Sequence, residues 1–117
     1  VSLVRPKAKE LIKENGKIVA LIKPQFEAGK EKVGKKGIVR DTNVHREVIE
    51  KIIDLSRELE LRILGLTFSP ITGATGNIEF LILLENSKEE NLPYDINKVI
   101  EDSQEMKNRW LNVTRVK

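Results

Sequence analysis

At 117 residues, 39% hydrophobic and 33% charged, the chain suits one soluble globular domain at most and is too apolar for a disordered tail. The absence of cysteine excludes a disulfide scaffold, a thiol nucleophile and a cysteine-ligated zinc, while a single histidine weighs against a multi-histidine metal centre or a Ser-His-Asp triad. The net charge of +3 is unevenly placed: residues 23–46 hold seven basic and three acidic side chains, and the remainder beyond them leans acidic.

The chain opens Val1-Ser2-Leu3-Val4-Arg5-Pro6, with no long apolar stretch of a signal peptide. No apolar run approaches the ~20 residues that span a bilayer, so the expected location is cytoplasmic and no membrane partner is expected. Residues 3–15 predict a helix with Pro6 in its first turn, Ala8, Leu11 and Ile12 on one face, and Gly16 as C-cap. Lys17-Ile18-Val19-Ala20-Leu21-Ile22-Lys23 follows, an apolar run between two lysines that reads as a strand buried on both faces, ended by Pro24. Residues 25–43 predict a long loop, and Asp41, Thr42 or Asn43 can cap the helix expected from about Val44 to Glu60. Arg62–Phe68 predicts a second strand, residues 69–77 a turn-rich loop with Gly73 and Gly76, and Ile78–Glu85 a third strand. A last helix is expected from about Pro93 to Trp110, with Met106 and Trp110 as core anchors.

This order predicts an α/β sheet flanked by helices. Its first two strands are parallel through a right-handed crossover, and the third returns antiparallel. Three strands of buried type are too few for a self-sufficient doubly wound sheet, so the chain reads as part of one. An open apolar edge on the first strand then invites self-association.

Lys23 ends the first strand and Glu79 begins the third, so both fall at the sheet edge where α/β folds bind ligands. If the third strand inserts between the other two, they are neighbours. A buried carboxylate without a partner is costly, so Lys23 is the expected counter-ion of Glu79. The residues leave two readings equally open: a strand-end salt bridge, or a pair in which the lysine orients or deprotonates a substrate hydroxyl. The basic residues Lys30, Lys32, Lys35, Lys36, Arg40 and Arg46 read on charge alone as a solvated loop before an anion-binding surface. His45 is expected in a capping or surface role, and no metal site is expected.

The residues Ile18–Lys30 (IVALIKPQFEAGK), Gly37-Ile-Val-Arg-Asp41, His45, Leu66–Gly73 (LTFSPITG) and Gly76-Asn-Ile-Glu-Phe80 together resemble the TlyA, or hemolysin A-like, family. Those are FtsJ-type ribosomal RNA 2′-O-methyltransferases that use S-adenosylmethionine. The resemblance runs from about Leu3 to Leu84. It implies the C-terminal half of a Rossmann-like class I methyltransferase sheet, with residues 1–117 a partial domain. It assigns Lys23 and Glu79 as the second lysine and the glutamate of a Lys-Asp-Lys-Glu catalytic set. The other two members, the cofactor loop and an S4-like RNA-binding domain are expected upstream, so the cofactor-binding residues are not assigned and the isolated chain is expected to be inactive. The resemblance also implies ribosomal RNA or a ribosomal subunit as partner, with the six basic residues tracking its phosphates. Two alternatives stand beside it: a non-catalytic nucleic-acid-binding module with the same basic loop, and a membrane-lytic hemolysin.

Overall fold

The computed structural model describes residues 13–29, 33, 34, 37–70 and 76–115, with side chains described as far as Arg109. Its elements in chain order are β1 (Lys17–Ile22), α1 (Pro24–Glu27), α2 (Thr42–Glu58), β2 (Arg62–Phe68), β3 (Phe80–Glu85) and α3 (Ile96–Arg115). The helix expected over residues 3–15 lies almost wholly outside the described residues. In the turn ahead of β1, Asn15 is left-handed (φ 63°).

The sheet order is β1-β3-β2, and β3 is antiparallel to both neighbours. β1 and β2 run in the same sense, and β3 lies between them and takes every ladder bond, so no two paired strands among the described residues are parallel. The sheet among the described residues is therefore three antiparallel strands flanked by helices. β1 pairs with β3 without interruption from Lys17↔Glu85 to Ile22↔Phe80. β2 pairs from Arg62↔Glu85 to Phe68↔Phe80, with a register shift between Ile63 and Gly65 that leaves Leu64 as the extra residue.

Period-2 alternation decides what each face does. Ala20 and Ile22 of β1, Ile63 of β2, and Phe80, Ile82 and Leu84 of β3 are buried in one cluster with Val44, Val48, Ile49, Ile52 and Ile53 of α2 and Ile100 of α3. Each of those large side chains contributes roughly 1.5–3 kcal/mol by leaving water. The opposite face is not covered in the same way: Val19 is 68% exposed, and Leu21, Leu81 and Leu83 are half-buried. The expectation that β1 is buried on both faces is thus corrected, because the helices of the described core pack on one side only.

α2 begins two residues before the predicted start. Asp41 is its N-cap, its side chain accepting from Asn43 N at 2.8 Å. α3 starts later than expected, at Ile96, with Met106 half-buried on it.

Candidate active site

Pro24 sets the geometry of the edge. It offers no N–H to a ladder, and its fixed φ suits the first position of a helix. The chain therefore leaves β1 at Lys23, which is extended (φ −113°, ψ 95°) and caps the single turn α1. The backbone N–H groups of Phe26 and Glu27 both return to Lys23 O, at 2.9 and 3.1 Å. A turn of helix thus lies inside the segment expected to be loop from residue 25, and it folds Gln25 back over the end of the sheet.

The β1–β3 register carried one step past Ile22↔Phe80 sets Lys23 opposite Glu79. On the other flank Ser69 N donates to Glu79 O at 2.8 Å, which continues the β2–β3 ladder by the same step. Glu79 is buried and held by backbone on one side, with Lys23 across from it. The two residues singled out in the sequence are therefore brought together in register.

Their side chains do not form the expected ion pair. Glu79 Oε2 accepts instead from Gln25 Nε2 at 3.0 Å, and the Lys23 ammonium lies over the Phe26 ring, 5.9 Å from its centroid. The physical reason is α1: its turn brings a neutral amide to the carboxylate and an aromatic face to the lysine. Phe26 itself is 69% exposed. Gln25 Oε1 is buried and accepts from no described donor. Gln25 is the site residue that sequence reasoning missed, although its place two residues after the strand-end lysine was the available signal.

Beside this edge a second group of polar residues is fully buried. Asn77 Oδ1 accepts from Val39 N at 2.9 Å, and Asn77 Nδ2 donates to Gly37 O at 2.9 Å. His45 Nε2 lies 3.0 Å from Val39 O. That oxygen can only accept, so Nε2 carries the proton, and the buried Nδ1 is a bare lone pair with no partner among the described residues. The ring meets Phe80 edge-on, with centroids 5.5 Å apart. Burial is the main cause that pushes the His45 pKa down, with Lys107 adding to it; the Val39 carbonyl and Asp41 oppose it. His45 is thus a core residue, which corrects the expected capping or surface role. The pattern hid this because Asp41, four residues earlier, takes the cap.

Of the six basic residues, Lys30, Lys32, Lys35 and Lys36 lie outside the described residues. Arg46 is committed to the protein: its Nε donates to Asn97 Oδ1 and its Nη1 to Asn43 Oδ1, each at 2.9 Å. Arg40 is exposed. Gly73 also lies outside the described residues, whereas Gly76 makes a tight turn at φ 87°.

Residues 3–86 match the family model of the FtsJ-like methyltransferases. The chain belongs to that family. Among relatives of this FtsJ-like chain, Bacillus subtilis YqxC, named as a candidate rRNA methyltransferase, is 45% identical over 106 residues, which covers 86% of the chain and 38% of YqxC. TlyA of Mycobacterium tuberculosis, named as a 16S/23S rRNA (cytidine-2′-O)-methyltransferase, is 35% identical over 75 residues, 64% of the chain and 28% of TlyA. A solved Streptococcus thermophilus structure, named as a candidate hemolysin, superposes with a TM-score of 0.83 at 37% identity, covering 92% of the chain and 39% of its own length. The chain thus spans about two-fifths or less of these relatives. No helix among the described residues is long and apolar enough to cross a membrane.

Proposed function

We propose that the chain forms the C-terminal half of an S-adenosylmethionine-dependent ribosomal RNA 2′-O-methyltransferase domain, with Lys23 and Glu79 acting on the ribose 2′-hydroxyl. The observation that carries this reading is the placement of Lys23 opposite Glu79, one register step past the ladder, in a chain of a methyltransferase family.

The donor supplies a methyl group activated as a sulfonium. The described residues do not build a cradle for it. Gly76 is followed by a strand rather than a helix N-terminus. Two cavities among the described residues lie elsewhere: one of about 670 Å³ is lined by Ile53, Arg62 and Asn91, and one of about 570 Å³ by Glu47, Glu50 and Glu58. We assign donor binding to residues outside those described.

What this chain contributes is the handling of the hydroxyl proton. A ribose hydroxyl becomes nucleophilic only as its O–H bond breaks, so the site must stabilise the developing alkoxide or accept the proton. Lys23 has no carboxylate partner among the described residues, so its ammonium is uncommitted toward a substrate oxygen. Glu79, kept in place by Gln25, sets a negative charge beside that lysine. Ribosomal RNA is the proposed partner, its phosphates met by the basic segment, and the proposed location is the cytoplasm.

The test is methyl incorporation into ribosomal RNA by the protein that carries this chain, mapped to ribose by resistance of the adjacent phosphodiester to alkali. Lys23→Ala is expected to lower the rate at least ~100-fold at unchanged melting temperature. Activity near wild type removes Lys23 from the reaction. The outer edge of β1 pairs with no described strand, so we further propose that the isolated chain self-associates there; light scattering that shows a stable monomer contradicts this.

A further inference from the structure

Val39 sits in an irregular segment, yet it is 1% exposed and both of its backbone polar groups are taken by buried side chains. Asn77 and His45, each 1% exposed, grip it from β3's approach and from α2. Asn77 also takes Gly37 O, and Gly34 N donates to Ile38 O at 3.0 Å. The segment around Val39 is thereby hydrogen-bonded at Gly37 O, Ile38 O and both backbone groups of Val39 without belonging to a strand. Two glycines make the turns on either side of the grip: Gly37 at φ 71° and Gly76 at φ 87°, both in the left-handed region that other residues adopt only under strain.

Burying two polar side chains to hold one loop residue is costly unless every bond is made, and His45 Nδ1 is left without one. What the grip fixes in place is the next residue, Arg40, which is exposed and has no ion-pair partner among the described residues. Asn77 itself lies two residues before Glu79. We propose that Asn77 and His45 are positioning residues that hold Arg40, on the segment Asn77 ties to the approach of β3, as a fixed contact for an RNA phosphate. This rests on the RNA reading of the site and narrows it: Arg46 is spent on Asn43 and Asn97, so Arg40 is the described arginine of the basic segment free to meet the substrate.

A guanidinium presented on a pinned backbone loses little freedom on binding, so the phosphate contact depends on the pin as much as on the charge. The two effects are therefore coupled. Removing the pin and removing the arginine delete the same contact, and together they cost no more than the larger of the two alone.

The test is RNA affinity of the protein that carries this chain, read by fluorescence anisotropy with a short ribosomal RNA hairpin across a salt series. Hydrogen exchange of the Val39 amide is read in parallel. Arg40→Ala is expected to reduce the slope of log K against log salt by about 1. Asn77→Ala is expected to give the same reduction and to release Val39 amide exchange, while β3 amides stay protected. The double variant is expected to match the single ones, and His45→Gln, which keeps an N–H within reach of Val39 O, to restore what His45→Ala loses. Arg40→Ala folds regardless of the grip, because its side chain is exposed. An unchanged slope in Arg40→Ala, additive losses in the double variant, or fast Val39 exchange in the wild type each overturns the proposal while leaving the RNA reading intact. A wild-type protein carrying this chain that binds no RNA overturns the RNA reading and this proposal with it.

Discussion

β3 and its approach carry two carboxylates, Glu79 and Glu85, on the same face of the sheet at opposite ends of the strand, and their surroundings differ completely. Glu85 is saturated with cations: Arg62 Nε donates to its Oε1 at 2.6 Å and Lys17 Nζ lies 3.6 Å from its Oε2. Arg62 in turn reaches Glu89 at 3.3 Å and Glu90 O at 3.2 Å. The hydrogen bond from Arg62 holds the Glu85 carboxyl below its ordinary pKa. Glu79 has a neutral amide instead, and the lysine across from it rests on an aromatic ring. Both ends follow the same register, so pairing geometry does not explain the difference; the turn after Pro24 does. A saturated charge fixes a strand end, whereas an uncommitted one retains the capacity to act on a substrate.

Swapping each carboxylate for its amide sharpens the contrast most. Glu79→Gln is expected to lower methyl transfer by about 10²-fold or more with little change in melting temperature. Glu85→Gln is expected to lower melting temperature while activity per folded molecule stays near wild type. Next in size are the cations at the Glu85 end. Arg62→Ala is expected to lower the melting temperature more than Lys17→Ala, because the Arg62 side chain is 17% exposed and that of Lys17 59%. Calorimetry on the two variants decides this, and an equal loss would mean that the outer lysine matters as much as the inner arginine.

The smallest effects are in acid, and the two ends separate in pH. His45, packed on Phe80 next to Glu79, has a folded pKa below its ordinary 6.5. The unfolded chain therefore binds the proton first, and the stability that depends on neutral His45 is full above pH 6.5 and is lost as pH falls below it. Asp41 and Lys107 are the charged groups that act on that ring. Glu85 also has a folded pKa below its ordinary 4.5, so its contribution is present above pH 4.5 and lost only under stronger acid. Melting temperature against pH is expected to fall in two steps, with His45→Gln removing the upper one.

Much of this is legible in the sequence. Arg62–Phe68 was readable as a strand to the residue, and the apolar runs after Lys17 and after Ile78 gave the other two. Lys23 and Glu79 stood out because charges bordering apolar strands need a reason. The pairing was not legible: five apolar residues in a row mark β1 as buried-type without saying how many faces are covered or which strand lies beside it. α1 escaped because four residues carry no periodicity, and with it went Gln25 as the partner of Glu79. His45 escaped for a different reason. A histidine in the first turn of a helix looks like a surface residue until the loop carbonyl it binds is known, and Val39 is held there by Asn77, 38 residues away.

We propose that the Lys23–Glu79 end does chemistry and the Lys17–Glu85 end does not. Lys23 and Lys17 flank the same strand and face the two carboxylates of β3, so each is the control for the other. Methyl transfer to ribosomal RNA by Lys23→Ala and Lys17→Ala, in the protein that carries this chain, tests the claim most directly. The account predicts at least a ~100-fold loss for Lys23→Ala and a rate close to wild type for Lys17→Ala. A Lys23→Ala protein as active as Lys17→Ala would contradict it.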